Sequence, residues 1–319
     1  MTARLNRGRF RLAAGAAVFA LAWLAGLRRP DLAQGQRRLS LIDLAELPRV
    51  LDPQLSPDGR FVAYTLTRGN WKADRQVPHV WRQSTAGGPP VQLTSGETGE
   101  TTARWSPDGA TILFVGWTSE GAQVQVISTD GGMPRVVTHH ATSVSSPAWS
   151  ADGSAVYFLA FDAKTNEQRD RERARGDVYA FDEDYTQRHL WKADARTGAE
   201  EPVTSGDFSV LGFRLSRDGK RLVTHRAPSP LMDDSVKSEM WVSDASGANA
   251  RALTSNALEE SEGELSPDNL RVLFLADANA REDAYYNTNI FIVSAATPPG
   301  PGVHGIGGWL AARAALRRA

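Results

Sequence analysis

Between residues 55 and 294 the hydrophobic positions fall in short runs, and polar turns separate them at a recurring pitch. One set of runs reads Phe61-Val62-Ala63-Tyr64, Ile112-Leu113-Phe114-Val115, Val156-Tyr157-Phe158-Leu159, Leu222-Val223-Thr224 and Val272-Leu273-Phe274-Leu275. A second reads Val80-Trp81-Arg82, Val124-Gln125-Val126-Ile127, Leu190-Trp191-Lys192, Met240-Trp241-Val242 and Ile290-Phe291-Ile292-Val293. Runs this short, rich in β-branched and aromatic residues and bounded by turn formers, read as β-strands. The same phrase introduces each run of the first set: Leu55-Ser56-Pro57-Asp58-Gly59, Trp105-Ser106-Pro107-Asp108-Gly109, Trp149-Ser150-Ala151-Asp152-Gly153, Leu215-Ser216-Arg217-Asp218-Gly219 and Leu265-Ser266-Pro267-Asp268-Asn269. It is a turn: Pro presets φ, Asp bonds nearby backbone, and Gly accepts a left-handed conformation. Asn269, in the place of Gly, is the next-best residue there.

A Thr ends an apolar run ahead of each later phrase: Thr94, Thr138, Thr204 and Thr254. From each Thr to the next phrase Ser the gap is 12 residues every time, whereas from Ser to the following Thr it is 38, 32, 54 and 38. One connection is therefore constant, and insertions fall elsewhere in the unit, as in a repeated structural module. Four short strands per unit of about 45 residues fit the blade of a β-propeller. The expected fold class is all-β: a β-propeller of four-stranded blades, about five blades present and the propeller incomplete. A β-sandwich has similar strand spacing but no reason to hold the 12-residue gap. A βα solenoid lacks support, because no unit carries a regular helical period.

Composition changes this picture at the ends. The 319 residues include no Cys, which argues against a disulfide scaffold. Residues 1–38 hold eight Arg and one acidic residue, and Arg4, Arg7, Arg9 and Arg11 precede the apolar run Leu12–Leu27. Ala33-Gln34-Gly35 then offers small residues before Gln36. This is a secretory signal pattern, with an uncleaved inner-membrane anchor as the alternative. The expected location is periplasmic or secreted. Residues 39–296 contain 25 Lys and Arg against 36 Asp and Glu. So acidic a body is a poor partner for nucleic acid. In the last 23 residues, 16 are Ala, Gly, Pro or Arg and none is acidic. The expected organisation is a signal peptide or N-terminal anchor over 1–36, propeller blades over 37–296, and an aberrant or disordered tail over 297–319. GC-rich codons encode that composition, so out-of-frame translation is one expected origin of the tail and a genuine flexible C-terminus the other.

The repeats resemble the blades of periplasmic TolB-like propellers. More specifically, the chain resembles the N-terminal propeller of the prolyl oligopeptidase family of serine peptidases, in the branch of acylaminoacyl peptidases and dipeptidyl aminopeptidases. The likeness rests on Leu47-Pro48-Arg49-Val50-Leu51-Asp52-Pro53-Gln54 leading into the first phrase, on Trp71 and His79-Val80-Trp81, and on Tyr179-Ala180-Phe181-Asp182-Glu183-Asp184-Tyr185 running into His189-Leu190-Trp191. It covers about residues 39–296. The resemblance implies a propeller that gates peptide access to an α/β-hydrolase domain lying C-terminal to it. That domain's Gly-x-Ser-x-Gly elbow is absent from this sequence, so no catalytic residue is assigned. No cofactor-binding or metal-ligating residue is assigned, and no cofactor is expected. The expected partners are peptide substrates, by way of the hydrolase domain, and a membrane only if the N-terminal segment stays uncleaved. A stand-alone TolB-like protein-binding propeller is the alternative function.

The remaining polar motifs have structural explanations. The phrase aspartates belong to turns. His139 and His140 are neighbours on an extended chain, face opposite ways, and are expected at the surface. The insertion Asp162–Arg188, with Glu167 and Arg171 at i and i+4, reads as a solvated helix or loop on the end of the blades that carries the 12-residue links. Asp182-Glu183-Asp184 and the cluster Glu259, Glu260, Glu262 and Glu264 read as acidic surface. Trp105, Trp149, Trp81, Trp191 and Trp241 read as packing between sheets. An arc of blades with unpaired end sheets exposes apolar faces and a free edge. The chain as written is therefore expected to express with poor solubility. Monodisperse material with a sharp cooperative melt would count against that reading.

Overall fold

Each phrase closes on itself through one set of hydrogen bonds. In the computed structural model, which describes residues 39–72, 74–174, 185–255, 259–277 and 288–296, the phrase Ser hydroxyl donates to the phrase Asp at 2.5–2.6 Å in all five copies. The same carboxylate accepts the backbone N–H two residues on at 3.0–3.1 Å. The Ser oxygen accepts the N–H five residues on at 2.9–3.0 Å. Gly59, Gly109, Gly153 and Gly219 take φ of 70–72°, and Asn269 takes 60°. Asn269 also donates to Asp218 in the turn before it at 2.9 Å, a bond that Gly could not make. These donors hold all five carboxylates below the ordinary aspartate value, to about 2 for Asp152 and Asp218.

The turn joins the first two strands of a four-stranded antiparallel sheet whose strands run in chain order. The first sheet comprises β1 (Arg49–Leu55), β2 (Phe61–Asn70), β3 (Arg75–Ser84) and β4 (Val91–Gln92). The second comprises β5 (Glu100–Trp105), β6 (Thr111–Thr118), β7 (Gly121–Ser128) and β8 (Arg135–Val136). The third holds β9 (Val144–Trp149), β10 (Ala155–Phe161), β11 (Arg188–Asp194) and β12 (Glu200–Pro202). The fourth holds β13 (Ser209–Leu215), β14 (Arg221–Ala227), β15 (Glu239–Asp244) and β16 (Arg251–Ala252). Three described strands form the fifth: β17 (Glu260–Leu265), β18 (Arg271–Ala276) and β19 (Asn289–Ser294). These are the blades of an incomplete propeller.

The recurring Thr locks the outer edge of each four-stranded sheet. Thr94, Thr138, Thr204 and Thr254 are buried, and each hydroxyl accepts a third-strand N–H at 2.8–2.9 Å, from Val80, Val124, Leu190 and Met240. The residue before each Thr donates its own N–H to the carbonyl of the same third-strand residue, at 2.7–2.8 Å. The chain then crosses to the first strand of the next sheet, and this crossing is the 12-residue link.

One apolar cluster fills each junction between consecutive sheets. Ala63 and Val80 meet Ile112 and Phe114; Leu113 and Val124 meet Val156 and Phe158. Tyr157 and Leu190 meet Val210 and Leu222; Val223 and Met240 meet Val272 and Phe274. Among the described residues the first and fifth sheets share no such cluster, and apolar side chains stand exposed on both: Val50, Leu51 and Leu55 on one, Leu270, Leu273 and Ile290 on the other. Trp105 and Trp149 pack at the junctions as expected, and each also donates its indole N–H to the preceding sheet, to Gln54 O at 3.0 Å and Arg104 O at 3.2 Å.

Three short helices complete the described structure. One is α1 (Leu41–Glu46), which starts at a capping box between Ser40 and Asp43. Another is α2 (Asn166–Arg173), within the long insertion; it is capped by Thr165 and buries no residue, in line with the solvated reading. The third is α3 (Met232–Ser235). The base of the insertion meets the link from the third to the fourth sheet: Gln187 donates to Asp207 and accepts from Ser209. Among the described residues no helix is long and apolar enough to cross a membrane. The basic N-terminal segment, the acidic run at 182–184 and the tail from 297 lie outside the described residues.

Replacing Thr138 by Val keeps its shape but leaves the Val124 N–H without its partner and removes one of the bonds to the Gln123 carboxamide. The expected cost is about 1–3 kcal/mol in urea unfolding, with Thr138→Ser costing less. The turn carboxylates add a pH dependence. Their folded values lie below the unfolded 3.8, so their contribution is complete above about pH 4. It is lost as pH falls towards 2, and acid unfolding should begin there.

Candidate functional site

The innermost strands do more than begin the sheets. Each carries a β-bulge four residues or so ahead of the phrase Ser, where its pairing with the second strand slips. At the bulge Asp52, Thr102, Ser146 and Glu262 take φ of 49–61°. The left-handed region is costly for such residues, about 1–3 kcal/mol each. A bulge re-aims side chains, and here the innermost strands β5, β9, β13 and β17 converge on a polar cavity of about 560 Å³ lined by Thr102, Ser146, Gly212 and Glu262. That volume is in the range of small-ligand sites, roughly 300–1,000 Å³.

The charged lining comes from few positions. Arg104 and Arg214 each stand two residues before a phrase Ser. Arg104 reaches Asp52 on the first sheet at 2.5 Å and its neighbour's carbonyl at Ala103 at 2.7 Å. Arg214 lies 3.4 Å from Glu262, longer than the 2.7–2.9 Å of a strong charged pair, and both side chains are more than half exposed. Arg217 occupies the Pro position of its turn, lines the cavity, and makes no ion pair among the described residues.

His225 enters from the second strand of the fourth sheet, directly opposite Gly212 in the register. Its Nε2 is buried without a hydrogen-bond partner. Burial first, and then the nearby Arg188 charge, bring its pKa down to about 4, while Glu262 works in the other direction. Arg188 is held by the carbonyls of Val210 and Leu211, each at 2.9 Å, just before Gly212. At neutral pH His225 is therefore an uncharged donor and acceptor at the wall of a cavity lined by arginines.

Other polar residues do structural work. His139 and His140 do diverge, but only His139 is exposed. His140 is buried, 2.8 Å from Glu200, because its backbone N–H is drawn in to Gln123. Glu260, expected at the surface, is fully buried. Six residues after Thr254 it turns inward and accepts from the Thr254 hydroxyl at 2.7 Å and the Met240 N–H at 3.0 Å. Glu100 occupies the equivalent position after Thr94, pairing with His79 at 2.9 Å and accepting the Gly96 N–H at 2.8 Å. Sequence reasoning missed the cavity arginines and His225. Aligning the five phrases column by column would have singled out Arg217 and His225, which depart from their columns, whereas the column of Arg104 and Arg214 is variable. Among the described residues no three His, Cys, Asp or Glu gather as metal ligands would.

Stacked four-stranded sheets around an inner cavity define a β-propeller domain. The family described as the lipoprotein LpqB β-propeller domain matches residues 78–262, and the chain belongs to that family. A curated relative, the uncharacterized peptidase YuxL of Bacillus subtilis (strain 168), is 30% identical over 252 residues, 79% of this chain and 33% of the relative. The chain thus spans about a third of the length of that relative. Solved structures share the fold. The Pyrococcus horikoshii acylaminoacyl peptidase matches at TM-score 0.55 and 16% identity, over 79% of this chain and 39% of its own. The propeller domain of the Trilobed protease of Pyrococcus furiosus, described as an open velcro topology, matches at 0.53 and 14%, over 79% and 70%. TolB from Acinetobacter baumannii matches at 0.52 and 19%, over 77% and 52%. The chain is therefore a propeller related to a protein named as a peptidase, and it shares its fold with propellers of peptidases and of TolB.

The depressed His225 pKa carries a sign. Its folded value lies below the ordinary 6.5, so its contribution to stability is complete above pH 6.5 and is lost as pH falls towards 4. The gap corresponds to about 3 kcal/mol. Unfolding free energies of the His225→Gln variant should be flatter than wild type between those limits, as urea titrations at several pH values would record.

Proposed function

We propose that this chain is the substrate-gating propeller domain of an exported serine peptidase that acts on peptides. The observation that carries the reading is the match to a relative named as a peptidase, across 79% of this chain but only 33% of that protein. A catalytic domain would then lie in sequence this chain does not match, and the propeller would filter and orient rather than react. The cavity suits that task. Its volume admits a short extended peptide and not a folded domain. Its bulged strands offer hydroxyl, carboxylate and guanidinium groups in place of a closed apolar pocket. The lipoprotein designation of the family and the basic, then apolar, N-terminal sequence support an exported setting.

In this reading the chain alone binds short peptides and hydrolyses none. Fluorescence polarisation with labelled peptides of about four residues, against chains of about thirty, tests it on the cavity's size. Tighter binding of the short peptides, with no cleavage by mass spectrometry, is expected. Binding of a folded protein partner with none of any peptide would replace the gate with a protein-recruiting module.

A further inference from the structure

The five blades provide an internal control on what a blade needs. Two residues before the phrase Ser, the first, third and fifth sheets carry Gln54, Ala148 and Glu264, whereas the second and fourth carry Arg104 and Arg214. In the turn the other copies have Pro57, Pro107, Ala151 and Pro267 where the fourth has Arg217. Nine residues after the phrase Ser stand Thr65, Val115, Leu159 and Leu275, but His225 in the fourth. At the bulge the fourth has Gly212 where the rest carry a side chain. The blade folds without these substitutions, so folding does not require them. The departures converge: Arg104, Arg214, Arg217, His225 and Gly212 all line the one cavity. Breaks in a local rule that gather at one place are what a functional site leaves behind.

We propose that this cavity binds a carboxylate of a peptide, with Arg214 and Arg217 as the primary cationic donors, His225 in its wall, and Gly212 adding no side chain to the space. This deepens the peptide-gating reading and rests on it. Charge argues for an anion. Residues 39–296 carry 11 more acidic than basic residues, yet three arginines line the cavity against the one lining carboxylate, Glu262. Arg104 is committed to Asp52. Arg214 is loosely held, and Arg217 is unpaired among the described residues. A planar guanidinium offers the forked donors a carboxylate accepts. With Arg104 paired to Asp52 and Glu262 beside Arg214, the remaining positive charge suits a single negative charge better than a dianion such as phosphate.

The carboxylate has two sources on a peptide, its C-terminus or an acidic side chain, and three probes separate them. They are N-acetyl-trialanine as free acid, the same peptide as C-terminal amide, and the amide with Glu at its centre, each titrated into the whole chain by calorimetry. The free acid should bind about tenfold or more tighter than the neutral amide, as expected for a hydrogen-bonded charge. The Glu-containing amide should match the acid if side-chain carboxylates are accepted, and match the neutral amide if only the C-terminus is. The paired substitution Arg214→Gln with Arg217→Gln should abolish the preference. Both side chains are exposed, so an unchanged far-ultraviolet spectrum and melt are expected. Arg214→Lys, which keeps the charge but loses the fork, should fall between. Equal binding of acid, Glu-containing amide and neutral amide would overturn the carboxylate site and leave the peptide reading standing. Binding of no peptide would overturn both. A preference surviving the paired substitution in a folded protein would overturn its assignment to this cavity.

Discussion

The bond from a third-strand N–H to a buried threonine hydroxyl sets the geometry of everything after it. The fourth strand of a blade is only two or three residues long, too short to hold its own edge. The Thr that follows extends it by one side-chain bond, repeated at 2.8–2.9 Å in four sheets. That bond fixes the point at which the chain leaves the outer edge, and the phrase turn fixes the end of the next inner strand. A link between two fixed points has one length, and 12 residues is that length. The innermost strands therefore arrive at equivalent places, and a cavity forms where they meet.

The repeated part of this architecture was legible in the sequence because each repeated residue has one dominant local interaction. The phrase Ser and Asp bond within five residues of themselves, and the second-strand runs are continuously apolar, as strands buried on both faces are. Trp105 and Trp149 could be assigned to the junctions from their shared position. What escaped was set by neighbours distant in sequence. Glu260 reads as one of several acids in a polar link, yet it is held inside by Thr254 and Met240. His140 reads as half of an exposed pair, yet Gln123 and Glu200 bury it. Neither partner is recoverable from spacing alone, because the blade lets strands of similar sequence take either role.

The cavity residues escaped for a different reason. Arg104, Arg214 and Arg217 carry the polar character expected near a turn, so nothing in their local sequence distinguishes them from solvated side chains. Their meaning lies in comparison with the equivalent positions of sister blades, which supplies what an alignment of relatives would. The comparison also weighs against a purely structural role. A residue kept for folding recurs, as the turn Ser and Asp do, whereas His225 and Gly212 are each found once in their columns.

The strain at the bulges points the same way. Four non-glycine residues hold left-handed conformations at the same place in four innermost strands, and each costs stability relative to a regular ladder. The surrounding sheets can sustain this because an antiparallel neighbour on one side and an apolar junction hold the strand. A sheet built only for stability would run the ladder straight and fill the axis with apolar side chains. Here the bulge places Thr102, Ser146 and Glu262 at a space that stays polar, and in the fourth strand Gly212 adds no side chain to it. Three of the four strained bulges and one missing side chain line the same cavity. The inner edge of the blades is therefore the part of the fold whose sequence answers to a ligand rather than to packing.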